Sequence, residues 1–201
     1  MLLKGNILGT IYSYYSHANH MNLTLILGPM KSGKTLELIS RISPLKFMPV
    51  KFALFQPVRN VRDNEVESRA GAVLFGQKIK NLKEILDHDL EIVGIDEVHM
   101  FLPEDIEAVE ILLKKQVQVI VSGLDMDYKG KLFDTVSRLI ELGPKEIIYK
   151  RSVCEKCLHY NGVYTQIFKN EDPVVAGLPP VVPDDGTYNY KPVCRECFVK
   201  S

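Results

Sequence analysis

Asn22-Leu-Thr-Leu-Ile-Leu-Gly28-Pro-Met-Lys-Ser-Gly33-Lys34-Thr35 decides how the rest of the chain is read. An apolar run breaks into a glycine-bounded loop that ends in Gly-Lys-Thr. This is the phosphate-binding pattern G-x-x-x-x-G-K-[ST]. Its glycines let successive backbone N–H groups turn inward on phosphate oxygens, its lysine reaches the outer phosphates, and its hydroxyl suits Mg²⁺. Leu23 to Leu27 read as a buried strand. Apolar residues at 36, 38, 39 and 42 have helical spacing, so a helix N-terminus faces the loop.

Working outward, Lys51-Phe-Ala-Leu-Phe55 predicts a second strand, and residues 56–71, with Arg59, Arg62 and Arg69, read as a polar loop able to face a triphosphate. Asn81 to His88 predicts a short amphipathic helix. Glu91-Ile-Val-Gly-Ile95 predicts a strand running into Asp96-Glu97, a candidate metal-holding carboxylate with a second acid beside it. Pro103 to Lys115 predicts a helix, with proline and acids in its first turn and lysines in its last. Val117 to Val121 predicts a strand ending at Gly123-Leu-Asp-Met-Asp-Tyr-Lys-Gly130. A helix over about Leu132–Glu141 and a strand over Glu146–Tyr149 follow. Alternating strands and helices, with the strands as continuous apolar runs, imply an α/β fold of the P-loop NTPase kind, a parallel sheet with helices on both faces. The segments starting at Gly28, Asp96 and Gly123 each follow a strand, so one edge of the sheet collects them.

All four cysteines lie near the C-terminus, as Cys154-Glu-Lys-Cys157 and Cys194-Arg-Glu-Cys197. Two C-x-x-C pairs match the ligand spacing of a closed, structural Cys₄ zinc site, with disulfides the less favoured alternative. Residues 158–193 exceed the spacing of a simple ribbon and are punctuated by Pro and Gly, so they read as a lid or as an exposed connector. The expected organisation is an N-terminal extension over 1–20, with Met21 the natural start, a P-loop nucleotide-binding α/β domain over 21–150, and a small zinc-ribbon-like domain with a lid loop over 151–201.

The chain has 201 residues, 46% of them hydrophobic, and its 25 Lys+Arg balance 25 Asp+Glu. Zero formal charge gives no sign of a global pull towards nucleic acid or an anionic membrane, and leaves a local patch open. No apolar stretch approaches a membrane span. A small-molecule partner and a reducing compartment are expected.

Taken together, Gly28-Pro-Met-Lys-Ser-Gly-Lys-Thr35, Asp96-Glu97 after a strand, Gly123-Leu124-Asp125, Tyr164-Thr165 and Tyr190-Lys-Pro-Val-Cys194-Arg-Glu-Cys197 resemble the thymidine kinase family of the P-loop type with a zinc-bearing lasso. The resemblance runs from about residue 22 to the C-terminus. It implies ATP-dependent phosphorylation of deoxythymidine at the 5′-hydroxyl, with ATP, Mg²⁺ and structural Zn²⁺ as cofactors. It places Gly28, Pro29, Met30, Lys31, Ser32, Gly33, Lys34, Thr35, Arg62, Asp96 and His99 on ATP, Thr35 and Asp96 on Mg²⁺, and Glu97 as general base. Met30, Leu124, Tyr128, Phe133, Thr165 and Tyr190 would wall the base pocket, although apolar residues at such places also read as core. It further implies a cytoplasmic homotetramer inhibited by its triphosphate end product.

The sequence departs from the family pattern at four places. The family has Asp-Glu-x-Gln-Phe-Phe where this chain has Asp96-Glu-Val-His99-Met100-Phe101, an acid at Asn60, an arginine at Ile167, and a Gly-Gly pair at Asp185-Gly186. These are base-reading and lasso positions. Three other readings stay open at this level: a kinase of another deoxynucleoside, a P-loop ATPase whose ribbon binds single-stranded nucleic acid, and a binding protein without turnover.

Overall fold

A computed structural model describes residues 22–60, 65–67, 71–182 and 186–200. The extension expected over 1–20, together with Arg62 and Asp185, lies outside the described residues. The strands are β1 (Leu23–Leu27), β2 (Phe52–Pro57), β3 (Glu65–Glu67), β4 (Val73–Phe75), β5 (Gln77–Ile79), β6 (Ile92–Ile95), β7 (Gln118–Gly123), β8 (Glu146–Tyr149), β9 (Tyr164–Lys169), β10 (Asp172–Pro173) and β11 (Asn189–Val193). The helices are α1 (Lys34–Ile42), α2 (Ile106–Lys114) and α3 (Asp134–Glu141).

Six strands form one sheet in the order β5-β2-β6-β7-β1-β8, and every pairing in it is parallel. Parallel strands need crossover connections, and the helices that supply them cover both faces. On one face Leu38, Ile39 and Ile42 of α1 pack with Ile26, Leu54, Ile92 and Ile120. On the other, Ala108, Val109, Leu112 and Leu113 of α2 and Val136 and Leu139 of α3 pack with Leu25, Val93, Ile95, Val119 and Val121. Alternate residues of β1, β6 and β7 thus point to opposite cores, which is why these strands read as unbroken apolar runs.

Two local expectations differ from the structure. Residues 82–87 form 3₁₀ turns: Asn81 and Glu84 make a reciprocal capping box, and the buried Leu82 and Ile85 are three apart, the spacing a three-residue turn puts on one side. The segment read as loop contains β3, which pairs antiparallel with β4 through Val66 and Leu74, and β5 then adds a parallel edge strand beside β2.

The C-terminal part is a three-stranded antiparallel sheet, β10-β9-β11, joined to the cysteine turns by a small cluster of Cys154, Val193, Cys194 and Phe198. Tyr164 stacks on Phe198 at 4.3 Å between ring centroids and 13° between planes. Gly130, at φ +75°, meets this stack: a Cβ there would stand 3.1 Å from the Phe198 ring and 3.3 Å from that of Tyr164. A glycine is therefore what lets the 123–130 loop close on the cysteine-bearing part. Among the described residues no helix is long and apolar enough to cross a membrane.

Candidate active site

The loop after β1 is shaped by close backbone approach. Gly28 has φ +142°, and a Cβ there would lie 2.4 Å from the Lys150 carbonyl oxygen at the end of β8. Lys34, at the start of α1, is buried, and its Nζ donates to the Pro29 carbonyl at 2.7 Å, inside the loop it serves. Thr35 Oγ1 lies 3.3 and 3.2 Å from the two carboxylate oxygens of Asp96.

Asp96 directly follows β6, and its N–H continues the ladder to Phe55 at 2.9 Å. The parallel register pairs Ile95 with Val121, so the next residue on each strand, Asp96 and Ser122, are neighbours, and the Ser122 hydroxyl donates to Asp96 Oδ1. Only 4% of Asp96 is exposed. Burial, reinforced by the Glu97 charge, pushes its carboxyl up to about 7. A deeply buried carboxylate with the Thr35 hydroxyl oxygen beside it is a hard oxygen donor set that fits Mg²⁺.

Successive side chains of a strand point opposite ways, and the structure resolves this for the two acids by ending the strand. Glu97 has φ 50° and ψ 42°, a left-handed conformation rare for a residue with a Cβ. The turn swings its carboxylate towards His99, Oε2 lying 3.6 Å from Nδ1. His99 is buried and accepts the Leu124 N–H at Nδ1, 3.2 Å away. Burial lowers its pKa to about 4, so it is neutral and the contact with Glu97 is no ion pair. Strain of order 1–3 kcal/mol attends such backbones, and here it falls at the residue next to the buried Asp96.

Beyond Glu97 lies a cavity lined by His99, Leu124, Tyr128, Phe133, Thr165 and Tyr190, with Met126, Asp127, Ile167 and Pro180, Val181 and Val182 completing it. Five of the six residues expected at the base pocket are there. The sixth, Met30, does not line the cavity, but its N–H donates to Thr165 Oγ1 at 3.0 Å, tying the phosphate loop to β9. His99, expected with the ATP residues, lines this cavity. Sequence reasoning missed Ser122, which the strand register reveals, and read the stretch containing residues 180–182 as a lid without naming them as pocket residues.

The lasso is fastened to the cavity by two phenols. Tyr128 Oη donates to the Leu178 carbonyl at 2.9 Å and accepts the Leu178 N–H at 3.1 Å. Tyr190 Oη donates to the Val182 carbonyl at 3.0 Å.

The four cysteine sulfurs lie within 4.8 Å of one another, and Cys157 and Cys194 are 3.8 Å apart. A disulfide needs about 2.05 Å. Four thiolates at about 2.3 Å from one ion stand about 3.8 Å apart in a tetrahedron. Cys154, Cys157, Cys194 and Cys197 thus form a metal site of the kind zinc takes, linked to the phosphate loop by the Lys31–Glu155 ion pair.

A parallel sheet with a phosphate loop at its carboxyl edge, a buried carboxylate facing that loop, and a cysteine-pinned module over an adjoining cavity define a P-loop nucleotide-binding protein. The family model for thymidine kinase matches residues 21–198. The chain belongs to the thymidine kinase family, whose members are phosphotransferases. A thymidine kinase of Pseudothermotoga lettingae is 32% identical over 183 residues, covering 89% of this chain and 95% of that protein. One of Bacteroides thetaiotaomicron is 30% identical over 183 residues, covering 89% and 87%. One of Ureaplasma urealyticum is 35% identical over 144 residues, covering 67% of this chain and 64% of that protein.

Proposed function

We propose that this chain transfers the γ-phosphoryl group of ATP to the 5′-hydroxyl of deoxythymidine, yielding dTMP and ADP in nucleoside salvage. The observation that carries the reading is the position of Glu97, turned by its left-handed backbone to the junction between the Lys34–Thr35–Asp96 cluster and the cavity under the lasso. Gly28, Pro29, Met30, Lys31, Ser32 and Gly33 present amides to the phosphates, and Lys34 neutralises their charge. Thr35 and Asp96 hold Mg²⁺, which when bound offsets charge on the β- and γ-phosphates. Glu97 accepts the 5′-hydroxyl proton as the new O–P bond forms and the bond to the β-phosphate bridge breaks. Leu124, Tyr128, Phe133, Thr165 and Tyr190 enclose the base, and closure of the lasso excludes water that would otherwise hydrolyse ATP. Arg62 belongs on the phosphate side by resemblance alone.

Further parts of the proposal are the division into 21–150 and 151–201, zinc as the ion of the four cysteines, a cytoplasmic location, a homotetramer and end-product inhibition. A single-stranded nucleic-acid ATPase is disfavoured by the balanced charge of the chain. ATP consumption measured with deoxythymidine, deoxyuridine, deoxycytidine, deoxyguanosine or single-stranded DNA tests the reading. Stimulation by deoxythymidine is expected, and stimulation by DNA alone overturns it.

A further inference from the structure

His99 is 4% exposed and lines the cavity. The Leu124 amide donates to its Nδ1 at 3.2 Å. A backbone amide can only donate, so Nδ1 carries a lone pair and the ring proton stands on Nε2. Glu97 Oε2, 3.6 Å from that nitrogen, is a second acceptor and makes no hydrogen bond with it. The Phe133 ring, 5.0 Å away at 48°, fixes the imidazole plane. Among the described residues no hydrogen bond reaches Nε2. His99 thus brings to the cavity wall a donor with no protein partner among the described residues, open to solvent or to a ligand acceptor.

We propose that His99 is a specificity-determining residue of the acceptor site, its Nε2–H donating to a sugar oxygen of the bound nucleoside. This rests on the nucleoside kinase reading above. The sugar is the part addressed because the ring that contacts Glu97 must run beside the carbon bearing the 5′-hydroxyl. The histidine stands where the family pattern has glutamine, and a glutamine amide can likewise accept from Leu124 and donate into the cavity. A donor is thus kept while its reach changes, and a ligand offering no acceptor leaves it unpaired.

The test compares kcat/KM for deoxythymidine, 3′-deoxythymidine and the carbocyclic analogue lacking the ring oxygen, in the unsubstituted enzyme, His99→Phe and His99→Gln. The unsubstituted enzyme should lose about ten-fold or more with one of the two analogues. His99→Phe should show that loss already with deoxythymidine, be indifferent to the same analogue, and keep its KM for ATP. His99→Gln should restore most of the discrimination. Equal analogue penalties in the unsubstituted enzyme and His99→Phe overturn the proposal while leaving the kinase reading intact, whereas no turnover of deoxythymidine by the unsubstituted enzyme overturns both. A second readout needs no variant. The Nε2–H proton of His99 in NMR should shift on adding deoxythymidine without ATP, and an unmoved signal in a nucleoside-saturated sample also overturns it.

Discussion

At the carboxyl ends of β1, β6 and β7 the phosphate loop, Asp96 and Ser122 hang from strands whose register leaves no choice of position, while the cavity beside them is closed by a lasso segment hydrogen-bonded to the Tyr128 and Tyr190 phenols, with Val181 packed on the main core. Asp96 is held by a ladder bond to Phe55, by Ser122 and by Thr35. Leu178 and Val182 are held by one phenol each. The first arrangement suits groups that must not move when charge develops, since preorganised dipoles stabilise a transition state without reorganising. The second suits a wall that must open for substrate and product. Substitutions in the two regions should therefore differ in which kinetic constant they change.

The largest effect is expected at the junction. Glu97→Gln keeps shape and hydrogen bonding but removes the base, so turnover should fall by roughly 10²–10⁴-fold with ATP binding nearly intact. Nearly normal turnover at saturating substrates would remove Glu97 from the chemistry.

A second expectation concerns pH, where the two buried groups of the same edge oppose each other. His99 titrates at about 4 folded and near 6.5 unfolded. Between these values only the unfolded chain binds the proton, so this contribution is present above about 6.5 and is lost as pH falls towards 4. Asp96 titrates near 7 folded against 3.8 unfolded, so its native state keeps the proton and stability falls as pH rises across much of the same range. The slopes partly cancel. Replacing His99 by Gln leaves Asp96 alone, so relative to the parent the variant should gain up to about 3 kcal/mol on going from pH 7 to pH 4. Denaturant unfolding at both pH values without added magnesium measures it, and parallel pH profiles would show that the imidazole is not held neutral by burial.

The same contrast explains what the sequence made legible. The phosphate loop, Asp96 and the cysteine pairs are local patterns whose residue types and spacings are dictated by their chemistry, and β1, β6 and β7 are apolar runs because both sheet faces are covered. Strands β3 and β4 have three residues each, and Val66 and Leu74 are their only buried hydrophobic residues, too little for a period to be seen. The Asp96–Ser122 pairing joins residues 26 apart in sequence and exists only once β6 and β7 are in register. The left-handed turn at Glu97 carries no residue signal, because glutamate does not favour it. The lasso's hydrogen bonds to the two phenols use the backbone groups of Leu178 and Val182, which every residue but proline possesses.

On the acceptor side the effects should be smaller and confined to the nucleoside. Tyr128→Phe keeps the ring in the cavity wall and removes both hydrogen bonds to Leu178. At about 1 kcal/mol net for each bond, and with water able to replace part of the loss on an open lasso, KM for deoxythymidine should rise by about ten-fold. KM for ATP should not change. An equal rise in both constants would mean that the lasso and the phosphate loop move as one body, contrary to the contrast drawn above.

The smallest effect is expected where the two regions touch through charge. Lys31 and Glu155 pair the phosphate loop with the first cysteine turn, but their side chains are 38% and 33% exposed. Water and salt screen such a pair and holding two long side chains costs entropy, so Lys31→Ala should change stability by no more than about 1 kcal/mol, and less at high salt. The neighbouring link is different in kind. Thr165 is buried and accepts the Met30 amide, so Thr165→Val leaves a backbone N–H without its partner, a loss salt cannot mask. Measuring KM for ATP in both variants at low and high ionic strength separates the two links. A salt-dependent change for Lys31→Ala together with a salt-independent one for Thr165→Val is expected. A salt-dependent rise for Lys31→Ala larger than the rise for Thr165→Val would instead make the ion pair the main coupling between the metal-bearing part and the phosphate loop.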